Sequence, residues 1–405
     1  VKTRTLLAAA AMTMSVTTAA RAQVSDDAVR IGVLTDHSGG FAHLVGKRSV
    51  DAAQMAVDDF GGTVLGKPIS VITADHQNKA DIASALSRKW FETEGVDAIT
   101  DVAGSAVALA TQEIARSRNK IVLVSGAATT ELTGKACSAT TTQWSYDTYA
   151  LAKGTAAQVT KQGNGASWFF LTSDYAFGHS LQNEASRFVE ANGGKVVGAV
   201  RFPFGSSDFS SFLLQGQASK AKVIGLAMSG ADLISAIKQA GEFGIVQSGQ
   251  SLAGLAIYIN DVEGLGLKTA QGLTLTTSFY WDMNDETRSW AKRYMERSGG
   301  FIPNFITAGT YASVMHYLKA VQAAGTDEGT AVAAKMRDMP VNDFYNKDVA
   351  IRVDGRVMHK TFLMEVKKPA ESKYRGDYYK VLAEMSGDES FRPLSESQCP
   401  LVKAK

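Results

Sequence analysis

Residues 29–34 form a short, almost unbroken apolar run, the pattern of a strand buried on both faces. Residues 49–60 then place Val50, Ala53, Val57 and Phe60 on one helical face and stop at Gly61 and Gly62, which predicts an amphipathic helix ended by glycine. The alternation repeats. A strand at 69–74 leads to a helix at 81–92 with Ile82, Ala85, Leu86 and Trp90 inward; a strand at 98–102 leads to a helix at 105–116; a strand at 121–125 follows. A second run of the same kind starts after Gly163, with a strand at 167–171 and a helix at 177–191 that carries Phe177, Leu181, Ala185 and Phe188 on one face. Strands at 195–201, 223–227, 251–258 and 273–277 then alternate with helices at 208–217 and 231–243. Such alternation implies right-handed crossovers and parallel sheets covered by helices on both faces. Two runs predict two sheets.

After residue 277 the pattern changes to helices at 285–297, 306–324 and 327–339, followed by strand-like pieces at 349–353, 361–367 and 378–382. These helices have no new parallel strands to cover, so they are expected to pack back on the first lobe, while the closing hairpin joins the second. The predicted architecture is α/β: two Rossmann-like lobes, one from 28–145 and 282–343, the other from 146–281 and 344–396, with a tail at 397–405. The chain then crosses between lobes near 144–148, 278–281 and 342–346. Three crossings make a hinge rather than a loose linker.

The start of the chain reads differently. Lys2 and Arg4 precede an apolar run over 6–16, and Ala20-Arg21-Ala22 offers a small-x-small site, which together predict a secretory signal peptide cleaved after Ala22. That run is too short to span a bilayer, and no later apolar run approaches 18 residues, so the mature chain is expected not to cross a membrane. Without Lys2, Arg4 and Arg21 the formal charge falls from +2 to about −1, which argues against a nucleic-acid partner. Export also gives meaning to the two cysteines, Cys137 and Cys399. Both lie in polar, turn-like surroundings, and a disulfide between them is expected.

Several chemistries are missing. Residues 61–67 match a phosphate loop until Pro68 replaces the hydroxyl residue, and the segment leaves a helix for a strand, the reverse of what phosphate binding needs. Gly264-Leu265-Gly266 lacks the third glycine of a dinucleotide fingerprint. The six histidines include no HExxH pair, and no serine stands in a GxSxG elbow. The expectation is a non-enzyme that needs neither cofactor nor metal.

In open parallel sheets a ligand lies beyond the carboxyl ends of the strands. Those ends here are 36–41, 103–105 and 125–130, segments rich in small and hydroxyl residues whose backbone amides a guest can approach. Gly104 and Ser105 also open a helix, whose free N–H groups and positive dipole end suit a carboxylate, and Ala127, Ala128 and Thr129 stand beside them. Ser105 and Thr129 serve equally well as helix caps. The second lobe and the hinge add Trp144, Tyr146, Tyr175, Phe177, Tyr258, Tyr280 and Trp281, some as core and the rest as cover for an apolar or flat ligand.

These segments carry a resemblance. Residues 31–40 (IGVLTDHSGG), 51–59 (DAAQMAVDD), 74–81 (ADHQNKAD), 124–129 (VSGAAT), 174–178 (DYAFG), 208–212 (DFSSF) and 340–344 (PVNDF) resemble the periplasmic solute-binding proteins of branched-chain amino acid ABC transporters. The similarity runs over about residues 28–402. It implies a bilobal type I binding-protein fold that closes on a small-molecule ligand, works in the periplasm as a monomer, and delivers its load to inner-membrane permease subunits. By this resemblance the carboxylate anchors fall on Gly104, Ser105 and 127–129, and the closing aromatic falls on the 175–177 turn. One departure stands out. Amino-acid-binding members use a second-lobe acid to meet the ligand's ammonium group, and the matching stretch here, 256–261, offers no Glu, with Asp261 and Asp232 as substitutes in principle, Asp232 being read as a cap of the helix after Gly230. That opens aromatic acids, amides and urea as ligands. A ligand-sensing module for a receptor and a periplasmic enzyme are the competing functions.

Overall fold

The structure, a computed structural model, describes residues 24–163 and 166–402; the expected signal peptide and its cleavage site lie outside them. The first sheet holds β1 (Val29–Thr35), β2 (Thr63–Val64), β3 (Lys67–Asp75), β4 (Val96–Asp101), β5 (Ile121–Val124) and β6 (Thr141–Gln143), in the order β2-β3-β1-β4-β5-β6. β1 pairs in parallel with both β3 and β4, and six of its seven residues are buried, as its apolar run requires. The helices α1 (Lys47–Phe60), α2 (Ala80–Thr93) and α3 (Ser105–Ser117) connect these strands. The glycine-rich segment after α1 is a tight antiparallel hairpin, with Leu65 (φ 53°) and Gly66 (φ 78°) at its turn, and not a phosphate cradle.

The second unit begins with α4 (Thr148–Gln162), a helix absent from the sequence-based expectation. It continues through β7 (Ser167–Ser173), α5 (Ala176–Ala191), β8 (Lys195–Phe202), α6 (Ser210–Ala218), β9 (Val223–Ala227), α7 (Ala231–Glu242) and β10 (Ser251–Gly254). Its parallel sheet runs β10-β9-β7-β8. Where a strand over 251–258 was expected, β10 stops at Gly254 and Tyr258 caps a short helix, α8 (Ile259–Leu265), followed by α9 (Leu267–Ala270).

β11 (Thr274–Thr277) corrects a second expectation, because it does not extend the parallel sheet. It pairs antiparallel with β12 (Thr361–Val366), which pairs with β13 (Tyr379–Met385), so the closing strands build their own three-stranded sheet over α4. Between them, α10 (Asp285–Arg297) and α11 (Phe305–Ala324) pack against α1, and α12 (Gly329–Asp338) packs on α11. The expected strand at 349–353 reduces to isolated bridges, Val341 to Val349 and Ile351 to Val357. α13 (Gly387–Ser390) and a tail complete the chain.

The segments after β6 and before β12 are bound together by Arg356. Its fully buried guanidinium donates to the carbonyls of Trp144 (2.7 Å), Tyr146 (3.0 Å) and Val357 (3.1 Å). Desolvation lowers its pKa to about 10, so it stays charged at neutral pH, opposite Asp147. Cys137 and Cys399 form a disulfide with their Cα atoms 5.5 Å apart. It joins the loop before β6 to a tail that is itself fixed to α5 through the Arg392–Glu184 and Arg187–Glu396 ion pairs.

Candidate functional site

Both parallel sheets reverse their strand order beside their first strand, between β1 and β4 in one and between β7 and β9 in the other. Ligands of doubly wound sheets lie at such switch points. The two switch points face each other. Between them is a narrow, nearly closed cavity, lined by Phe41, Leu44 and Val45 after β1, Ala103, Gly104 and Ser105 after β4, and Gly126, Ala127 and Ala128 after β5. Tyr146, Tyr175, Phe177, Ser229, Tyr258 and Ile306 close it. No charged side chain lines it.

One wall is built from backbone. Asp101 (φ 71°) and Val102 (φ 57°) are consecutive non-glycine residues in the left-handed region, a strained arrangement that is costly for a β-branched residue. The kink aims 103–105 at the cavity. Gly104 follows at φ 94°, where a Cβ would lie 2.1 Å from Asn78 Oδ1, and it precedes α3 with no side-chain cap on the first amides. Gly126 approaches as closely, since a Cβ there would meet Ala103 Cα at 2.8 Å and Asp101 Oδ1 at 2.6 Å. Under this floor Asp101 is wholly buried, with neither carboxylate oxygen in hydrogen-bond geometry. Burial pushes it up to about 6, with Thr35 and Ser49 hydroxyls pulling back and Asp36 adding to the rise.

The other wall is aromatic. Tyr258 donates to Tyr146 (2.7 Å), which donates to the carbonyl of Gly126 (3.1 Å), so the two sides touch through hydroxyls. Phe305 stacks against Tyr258 with centroids 4.7 Å apart, and Phe204 bridges Phe41 (5.4 Å) and Tyr175 (5.0 Å). The Tyr175 hydroxyl is buried beside Ser229 without a partner in hydrogen-bond geometry.

Of the residues singled out in sequence, Gly104, Ser105, Ala127, Ala128, Tyr146, Tyr175, Phe177 and Tyr258 meet in this cavity. Five stand outside it, among them Trp144, fully buried with its indole N–H donating to Thr142 Oγ1 at 2.8 Å. Thr129 caps the 3-10 turn Thr130–Leu132 through the amide of Glu131. Tyr280 and Trp281 both donate to the carbonyl of Gly376, at 3.1 and 3.0 Å, and clamp that loop instead of covering a guest. Asp261 accepts from the amide of Tyr258 and pairs with His43. Leu44, Val45, Ser229 and Ile306 were missed; Ser229 alone had a signal, as it follows the end of β9. A larger hollow of ≈ 420 Å³ lies beside the cavity, but its Arg392–Glu184 and Arg352–Asp354 pairs satisfy one another. Among the described residues no cluster of three or more His, Cys, Asp or Glu is placed to hold a metal, and no helix is long and apolar enough to cross a membrane.

The periplasmic binding protein family matches residues 28–373. A periplasmic binding protein from Burkholderia mallei is 48% identical, with a TM-score of 0.91 over 93% of this chain and 100% of that one. A branched chain amino acid ABC transporter periplasmic ligand-binding protein from Burkholderia xenovorans LB400 is 38% identical, with a TM-score of 0.82 over 93% of this chain and 100% of that one. Among curated proteins, the Leu/Ile/Val-binding protein homolog 6 of Brucella melitensis biotype 1 is 26% identical over 369 residues, 86% of this chain and 90% of its own length.

Proposed function

This chain belongs to the periplasmic binding protein family, and from that premise we propose that it captures a small carboxylate-bearing ligand, a branched-chain or other hydrophobic amino acid or an aromatic acid, and delivers it to the permease of an ABC importer. The mature protein starts after Ala22, resides in the periplasm and works as a monomer without making a covalent bond to its cargo. Its moving parts are the lobes 28–145 with 282–343 and 146–281 with 344–396, which rotate about the passages that Arg356 holds together.

The observation that carries this reading is the cavity between the two switch points, uncharged, with amides on one wall and rings on the other. The uncapped start of α3 and the amides of Ala127 and Ala128 receive the carboxylate, while the Gly126 amide is spent on the Asp101 carbonyl at 2.8 Å; the helix dipole adds up to about 1 kcal/mol. The Tyr175 hydroxyl is free to serve as a further donor. Phe41, Phe177 and Tyr258 cover the body. The space is narrow, so the lobes part to admit a guest and close on it; a ligand drives that closure only through contacts it gains in both lobes.

A thermal-shift panel of aliphatic amino acids, aromatic acids, amides and urea tests the assignment, since a ligand at 100 times its Kd stabilises the folded state by about 2.7 kcal/mol. Stabilisation by carboxylates supports it. Stabilisation by urea or amides alone, or by nothing in the panel, refutes it.

A further inference from the structure

His43 lies on the loop after β1, between two residues that line the cavity, Phe41 and Leu44. It reaches across to the other sheet's side, where its Nε2 is 3.1 Å from Asp261 Oδ1. Its ring also rests on Gly230, where an added Cβ would meet His43 Cε1 at 3.4 Å, and Gly230 adjoins the cavity residue Ser229. The pair therefore stands at the rim of the cavity and joins its two walls.

Asp261 is fully buried, and both its oxygens are taken: Oδ2 by the amide of Tyr258 at 2.9 Å, Oδ1 by His43. A carboxylate removed from water needs a positive or donating partner, and in the closed arrangement the protein supplies one from the opposite wall. Asp232, which lies near Tyr175 but does not line the cavity, accepts from the amide of Gly205 through Oδ2. Asp101 lies beneath the Ala103–Gly126 floor. A cationic group on a ligand would thus enter a cavity with no charged lining and find the rim carboxylate occupied.

We propose that His43 is a specificity-determining residue: it takes the place on Asp261 that a ligand's ammonium group would need, so the site selects carboxylates that carry no α-amino group. The proposal rests on the reading of this cavity as the ligand site. It narrows that reading to plain organic acids, aliphatic or aromatic.

Matched pairs that differ only in the α-ammonium group test it: 4-methylpentanoate with leucine, 3-phenylpropanoate with phenylalanine, and phenylacetate with phenylglycine, titrated by calorimetry against the full-length mature protein. In the wild type the acid without the amine binds at least tenfold tighter in the pair that fits. His43→Ala shifts that ratio at least tenfold toward the amino acid, His43→Lys keeps the wild-type ratio, and His43→Ala with Asp261→Asn restores it. A general loss of closure weakens both members of a pair alike and leaves the ratio alone. Equal or tighter binding of the amino acid by the wild type overturns the proposal, as does a ratio that His43→Ala leaves unchanged. If no acid of any pair binds, the cavity reading fails and takes this inference with it.

Discussion

Asp101→Asn isolates the cost of a buried carboxylate that has hydroxyl neighbours, Thr35 and Ser49, but no cationic partner. The folded pKa of Asp101 is raised to about 6 from the ordinary 3.8, with burial as the main cause. Below pH 4 both folded and unfolded chains hold the proton, and the group contributes nothing. Between about pH 4 and 6 the folded state keeps a proton that the unfolded state has lost, so stability falls as pH rises through that window. Above it the cost is complete, and a shift of about two units corresponds to roughly 3 kcal/mol. Asparagine keeps the shape, tolerates the left-handed backbone at φ 71° and carries no charge to desolvate. Urea unfolding of oxidised wild type and variant, followed from pH 4 to 8, gives the difference directly. The variant is expected to be more stable by up to about 3 kcal/mol at pH 7.5, with the gap closing toward pH 4. A variant less stable than wild type at pH 7.5, or a gap that ignores pH, refutes the reasoning.

Three further outcomes are expected. Replacing Cys137 and Cys399 by serine opens a loop of sequence separation 262, for which chain entropy gives a loss of roughly 5 kcal/mol, readable as a lower urea midpoint with no further drop on adding reductant. Gly104→Ala places a Cβ 2.1 Å from Asn78 Oδ1 at φ 94°, so it should cost about 1–3 kcal/mol in stability and weaken ligand binding at least tenfold by calorimetry. Arg356→Met strips donors from the carbonyls of Trp144, Tyr146 and Val357 and leaves Asp147 without its guanidinium, an expected loss of about 3–5 kcal/mol by the same unfolding assay.

The parallel strands were legible because a strand covered on both faces must be apolar throughout, as in β1 and in β9, which runs over the predicted 223–227. α4 was not, since burial around most of its surface erases the polar face that betrays a helix. Ten of its residues are buried, and Gly154 lies so near Thr276 that a Cβ would come within 2.2 Å of the hydroxyl. β6 escaped for the opposite reason: Thr141, Thr142 and Gln143 are buried polar residues with no apolar pattern. The strand-end rule located Gly104, Ser105, Ala127 and Ala128, because open parallel sheets place loops there by construction. It could not tell which way a side chain turns, and so Thr129 proved to be a cap. Aromatic type was a weaker guide, for Tyr280 and Trp281 spend their polar tips on Gly376. Ile306 enters from a helix some 200 residues downstream of Ser105, and no local signal marks it.

The most direct measurement is a crystal structure of the mature protein with the acid that stabilises it best. Electron density for the ligand is expected between the two sheets, its carboxylate on the amides of Ser105, Ala127 and Ala128, its body under Phe41, Phe177 and Tyr258. Density in the hollow beside Glu184 and Arg392, with the cavity between the switch points unchanged, would contradict it.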